Sequence, residues 1–91
     1  MKIIGTIDPE IKPFVYALNG LRIETGASCQ GKPNGIHYGK PGYSNAWVEF
    51  CPHTSPDRLK DVRELANIYV DGKIYSCDVT KIIFEGPIKA K

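Results

Sequence analysis

Apolar residues recur along this chain at two periods, and each change of period marks a new element. Ile3, Ile4 and Ile7 make a short apolar run over Lys2–Ile7, which predicts a buried strand. Asp8-Pro9-Glu10 carries the marks of a helix start, with Asp8 as N-cap, Pro9 at the first helical position and Glu10 facing the positive end of the dipole. Pro13 removes an interior backbone bond, so this helix is short, kinked, or begins at Pro13 itself. Phe14, Val15, Leu18 and Leu21 form its apolar stripe, and Asn19-Gly20 predicts its stop. Leu21, Ile23 and Thr25 then alternate with Arg22, Glu24 and Gly26, which predicts a strand with one buried face ending near Ser28-Cys29.

Gln30 to Asn45 reads as a sixteen-residue loop with four glycines and two prolines. A strand follows at Ala46–Cys51. The next helix opens with Ser55 as cap, Pro56 in the first position and Asp57 suited to the dipole. Leu59, Val62, Leu65, Ala66 and Tyr69 recur at three and four and give it one apolar face. Asp71-Gly72 ends it. Lys73 to Glu85 is strand again, but its apolar phase shifts from Tyr75, Cys77 and Val79 to Ile82 and Phe84. The shift predicts a bulge near Thr80 or two short strands. Gly86-Pro87 closes the fold. The order is βαββαβ, an α+β chain. It predicts a ferredoxin-like two-layer sandwich, an antiparallel four-stranded sheet with two helices on one face. Right-handed crossovers give the strand order 4-1-3-2.

Ninety-one residues make one domain, 1–91, with a small core. Twelve Lys and Arg against ten Asp and Glu leave a net charge of +2, which excludes a polycationic arm for duplex DNA. A hydrophobic fraction of 42% with 24% charged residues excludes intrinsic disorder. No apolar run approaches the roughly 20 residues of a membrane span, so no membrane partner is expected. The apolar stretch at the N-terminus is too short for a signal peptide, and a cytoplasmic location is the default. Cys29, Cys51 and Cys77 are odd in number, widely spaced and without a CxxC pair, which predicts reduced thiols.

The long loop is the most informative segment for function, because loops beyond about 12–15 residues are usually functional or disordered. No Asp or Glu occurs between Glu24 and Glu49. The loop carries Lys32, His37 and Lys40, with Tyr38, Tyr43 and the nearby Trp47 interleaved. Basic groups neutralise phosphate and aromatic faces stack bases, which points to nucleic acid or a nucleotide as partner. Gly31, Gly35, Gly39 and Gly42 let backbone N–H groups approach an anion. The competing reading is a solvated loop whose tyrosines pack on the sheet. No Walker A pattern surrounds Lys32.

Ser28-Cys29-Gln30-Gly31 stands where a strand meets that loop. A thiol there is a nucleophile if Lys32 or His37 lowers its pKa, and otherwise a small apolar residue at a strand end. A phosphatase loop is excluded, since no Arg stands six residues after Cys29. The acylphosphatase loop after the first strand is also missing, replaced by Thr6-Ile7-Asp8-Pro9. Cys51-Pro52-His53 offers two soft ligands without the paired close spacings of a structural zinc site, so no metal is expected. His53 then belongs near the cap of the second helix.

Ser28-Cys29-x-Gly31, read with Trp47 and His53, resembles the wybutosine-synthesis methyltransferases that act on phenylalanine tRNA. Those proteins carry a strand ending in Ser-Cys-Ser-Gly-Arg, then a loop, a Trp-containing strand and a His before a helix. Lys32 stands where that family has its arginine, and the likeness runs in element order from Ile23 to Ile83. Small phage and prokaryotic proteins with the same Ser-Cys-x-Gly signature are closer in length. The resemblance implies the fold and the importance of the Ser28–Gly31 corner. It does not carry methyl transfer across, and no cofactor is expected. Three functional readings follow. The first is a small binding or accessory protein that holds an anionic ligand, RNA or nucleotide, through Ser28, Cys29, Gly31, Lys32, His37, Tyr38, Lys40, Tyr43, Trp47 and His53. The second is a minimal tRNA-modification-type enzyme. The third is an ACT-like regulatory domain forming a homodimer through sheet edges or helices.

Overall fold

The computed structural model describes residues 7–31, 36–37, 40–41 and 45–91, with only the strand pairing described for 36–37 and 40–41. Helix α1 spans Lys12–Gly20 with Pro13 in its first turn, where a missing N–H costs no intrahelical bond. Asp8 is not its N-cap. That position is Ile11, which has no side-chain cap. The Asp8 carbonyl instead accepts the N–H groups of Ile11 and Lys12 at 3.2 and 3.1 Å, forming a turn before the helix. Its carboxylate leaves the helix altogether and accepts the Gln30 N–H at 3.1 Å.

The helix stops at Gly20, as Asn19-Gly20 predicts, but Gly20 is its last helical residue and not its left-handed cap. Arg22 takes the left-handed position, with φ 63°. The Arg22 N–H reaches the Asn19 carbonyl at 2.9 Å, and the Ile23 N–H reaches the Leu18 carbonyl at 3.0 Å. This is the Schellman arrangement, with Ile23 and Leu18 both buried beneath it. A non-glycine residue there costs about 1 kcal/mol. Two side chains hold the turn: the Asn19 amide donates to the Ile23 carbonyl at 3.0 Å, and Arg58 donates to the Leu21 carbonyl at 2.7 Å. The alternation over Leu21–Thr25 is therefore mostly a helix exit, and the strand begins later.

Eight short strands are described, in chain order β1 (Thr25–Cys29), β2 (Ile36–His37), β3 (Lys40–Pro41), β4 (Trp47–Phe50), β5 (Val70–Asp71), β6 (Ile74–Cys77), β7 (Lys81–Phe84) and β8 (Lys89–Ala90). A 3-10 turn, Pro56–Arg58, runs straight into helix α2, Leu59–Tyr69, between β4 and β5. Ser55 caps nothing there, and its hydroxyl instead bonds the Asp57 carboxylate, holding that acid below its ordinary range. Helix α2 ends at Tyr69, earlier than Asp71-Gly72, because Val70 turns extended.

Strands β1, β4, β7 and β6 form one antiparallel four-stranded sheet in that order. The expected order 4-1-3-2 puts the first strand beside the third. Here β7 flanks β4 instead, and of the two possibilities expected over Lys73–Glu85 the chain takes two short strands, paired as the β6–β7 hairpin. The Asp78 carboxylate makes the turn, accepting the Thr80 and Lys81 N–H groups at 2.8 and 3.1 Å along with the Thr80 hydroxyl. The Thr80 hydroxyl is the main cause of a lowered Asp78 pKa. The strand expected over Lys2–Ile7 lies outside the described residues except for Ile7, which is not in a strand but packs against the core.

One face of the sheet builds the core. Val48 and Phe50 of β4 and Ile82 and Phe84 of β7 are buried in a single cluster with Phe14, Val15 and Leu18 of α1 and Val62 and Ala66 of α2. Phe14 meets Phe84 edge-on, ring centroids 5.9 Å apart. Such a pair adds about 0.5–1.5 kcal/mol to the area it buries. Tyr69, expected on the buried stripe of α2, is 38% exposed.

The chain does not close at Gly86-Pro87. Ile88 is buried, and β8 pairs antiparallel with β5. Ile88 packs against Gly72, where an added Cβ would stand 2.5 Å from Ile88 Cγ2. Gln30 ties this segment to the rest of the molecule. Its N–H donates to Asp8, its side-chain oxygen accepts the Glu10 N–H at 2.9 Å, and its carbonyl accepts the Ile88 N–H at 3.0 Å. Glu10, in turn, accepts the Ala90 N–H at 2.8 Å.

Candidate functional site

The register of the sheet decides which candidates meet. Cys29 pairs with Trp47, Trp47 with Ile83, and Ile83 with Ser76. Directly paired residues point to the same face. These four therefore form one row across all four strands, on the face opposite the core. Val48 and Ile82, one residue away, are buried under the helices, whereas Trp47 and Ile83 are half-buried. Ser28 pairs with Val48 and so belongs to the helix-facing side. The two residues of the Ser28-Cys29 corner thus point to opposite faces, and only Cys29 joins Trp47.

Both edge strands are bulged, and the bulges furnish the open face. In β1 the pairing passes from Thr25–Phe50 to Ser28–Val48, so Gly26 and Ala27 together oppose Glu49. A Cβ on Gly26 would stand 2.8 Å from Glu49 Oε1, so the Glu49 side chain lies over that glycine. In β6 the pairing passes from Ile74–Phe84 to Ser76–Ile83. Ile74 and Cys77 pack against the core, Ser76 pairs with Ile83, and the bulge sets Tyr75 beside Ser76 opposite the same residue. Tyr75 is 69% exposed. Neither Tyr75 nor Ile83 stands out in the sequence as a candidate, since a bulge breaks the period-two pattern that assigns residues to a face.

At the end of the row Cys29 turns into the connection to β4. Gly31 is buried with φ 81°, and its N–H donates to the Cys29 sulfur at 3.4 Å. The connection is not structureless. Within it β2 and β3 pair antiparallel, and His37 and Lys40 are direct cross-strand partners. Lys32, Tyr38 and Tyr43 lie outside the described residues.

His53 is elsewhere. It follows the far end of β4, beyond Phe50, and lines an open groove of about 460 Å³ with Glu49, Cys51, Thr80 and Lys81. The structure does not bring it to the Cys29 corner. The Cys51–Pro52 peptide beside it is cis. Among the described residues no group of three His, Cys, Asp or Glu side chains is placed to hold a metal ion. All three cysteines are free, with Cys51 exposed and the other two half-buried. Burial under α2 pushes the Cys77 thiol up, partly offset by a hydrogen bond with Arg63. No helix among the described residues is long and apolar enough to cross a membrane. Comparison with family models, with curated proteins and with solved structures finds no match to this chain.

Proposed function

We propose that the protein is a small binding protein that holds an anionic, base-bearing ligand, RNA or a nucleotide, at the Cys29–Trp47 end of the open sheet face. One observation carries this reading. The connection that leaves the sheet at Cys29 and returns at Trp47 contains Lys32, His37 and Lys40, and no carboxylate from Thr25 to Val48, while its two ends are paired across β1 and β4. Cations in the connection and a half-buried indole at its return match a phosphate joined to a base. Three free thiols favour a cytoplasmic setting.

Trp47 is the only tryptophan and reports directly. Titration with adenosine monophosphate and with short RNA should change its fluorescence. Added salt should weaken RNA binding, with a slope of roughly 0.7 per phosphate contact. Replacing Lys32 and Lys40 together by alanine should lower affinity without changing the melting temperature. Unchanged fluorescence with every probe at low salt would refute the reading.

A further inference from the structure

We infer that the ligand is a single-stranded oligonucleotide lying across the sheet, with Tyr75 as a second stacking position beside Trp47. This rests on the binding site proposed above and names its ligand class. Trp47 of β4, Ile83 of β7 and Ser76 of β6 stand in one cross-strand row, and Tyr75 is the extra residue of the β6 bulge beside Ser76, opposite the same Ile83. Neighbouring strands lie about 4.8 Å apart, so the two aromatic positions are roughly 10 Å apart. They are separate platforms, and filling both takes at least two bases joined by a backbone.

The placement of Tyr75 is not an outcome of packing. Among the described residues it is the most exposed of the large apolar ones, at 69%, while Ile74 and Cys77 on either side of the bulge pack on the core. The bulge raises it on the open side instead of turning it to the helices. Four-stranded sheets with exposed aromatics on one face suit single strands, whose unstacked bases lie flat on the rings. The charge distribution fits the same occupant. The row Cys29–Trp47–Ile83–Ser76, with Tyr75 beside it, carries no charge, and the acid-free connection with Lys32, His37 and Lys40 begins and ends at its Cys29–Trp47 side. Glu49, the carboxylate of β4, stands two residues further along the strand and is drawn over Gly26, away from this row.

The test compares adenosine monophosphate, hexa-adenylate and its deoxy counterpart by Trp47 fluorescence, on the wild type, Tyr75→Ala and Tyr75→Phe. The hexamers should bind at least tenfold more tightly than the mononucleotide. Tyr75→Ala should weaken hexamer binding about 5- to 100-fold and leave mononucleotide binding unchanged, as loss of one stacked base requires. Tyr75→Phe keeps the ring and should retain the affinity. A stronger effect with one sugar identifies RNA or DNA as the source. Equal affinity of monomer and hexamer on the wild type, or unaltered hexamer binding by Tyr75→Ala, overturns the inference but leaves the Cys29–Trp47 site standing. Silence of Trp47 toward every probe overturns both.

Discussion

The two faces of β4 and β7 are made by the same eight residues, and they have opposite characters. On one side Val48, Phe50, Ile82 and Phe84 are almost completely removed from solvent. On the other, Trp47 and Ile83 are half-buried while Glu49 and Lys81 are exposed. The first face is explained by the two helices that cover it. The second mixes an indole and an isoleucine with two exposed charges, and the contrast separates residues held by packing from residues left accessible. The β1 bulge makes the same point in small. There a glycine and an alanine fill the two places opposite Glu49, so a bulged edge in this sheet does not itself require a tyrosine.

The contrast breaks most visibly on the covered face. Phe84→Ala should cost about 3–5 kcal/mol. That is a large part of the 5–15 kcal/mol typical of a whole domain, so urea melts should show a protein barely folded at 25 °C. Gln30→Ala comes next. It leaves the part-buried Glu10 N–H without its partner and should cost about 1–3 kcal/mol in the same melts. An unaffected midpoint would mean that the tie to the N-terminal turn carries no stability.

Arg22→Gly acts in the other direction. It relieves the left-handed backbone and should gain up to about 1 kcal/mol, raising the melting temperature by roughly 4–8 °C. Calorimetry that finds a lower melting temperature would show that the Arg22 side chain itself stabilises the turn. For Cys77 the folded state holds the thiol pKa above its unfolded value near 8.5. The unfolded chain ionises first as pH rises, so this contribution is complete below about pH 8.5 and is lost as pH climbs through the folded value. Cys77→Val should therefore lose less stability than the wild type between pH 8 and pH 10. Equal losses would place the ionisation elsewhere. The smallest effect belongs to the open face. Tyr75→Ala should stay within about 0.5 kcal/mol of the wild type, and a larger loss would make that tyrosine a structural residue.

Sequence periodicity locates the helices, the Trp47 strand and the apolar side of β4 well, because a side chain alternating at two or recurring at three and four reports burial directly. It fails where long-range pairing overrides local pattern. Asp8 and Glu10 look like helix-start acids, yet one accepts Gln30 and the other Ala90, contacts that no local window contains. Asn19-Gly20 does mark the end of α1, but the left-handed residue is Arg22, where the Ile23 N–H closes back on the Leu18 carbonyl. Cys29 and Trp47 are legible as candidates, being chemically distinctive beside an unusual loop. Their separation from Ser28 and His53 depends on register, and so does the company of Tyr75.

The hydrogen bond from Ala90 to Glu10 joins residues 80 apart in the chain. Closing so long a loop is an entropic cost that falls late, after shorter contacts have made it worthwhile. The β6–β7 hairpin, with its Asp78 turn, needs no such closure and is suited to form early. Kinetically the chain should therefore behave as two parts: substitutions in the hairpin should slow folding, and Ile88→Ala or Glu10→Gln should chiefly speed unfolding. In the native state the same logic makes the Lys89–Ala90 strand the first to open. Its amides should exchange with solvent well ahead of those in β4 and β7.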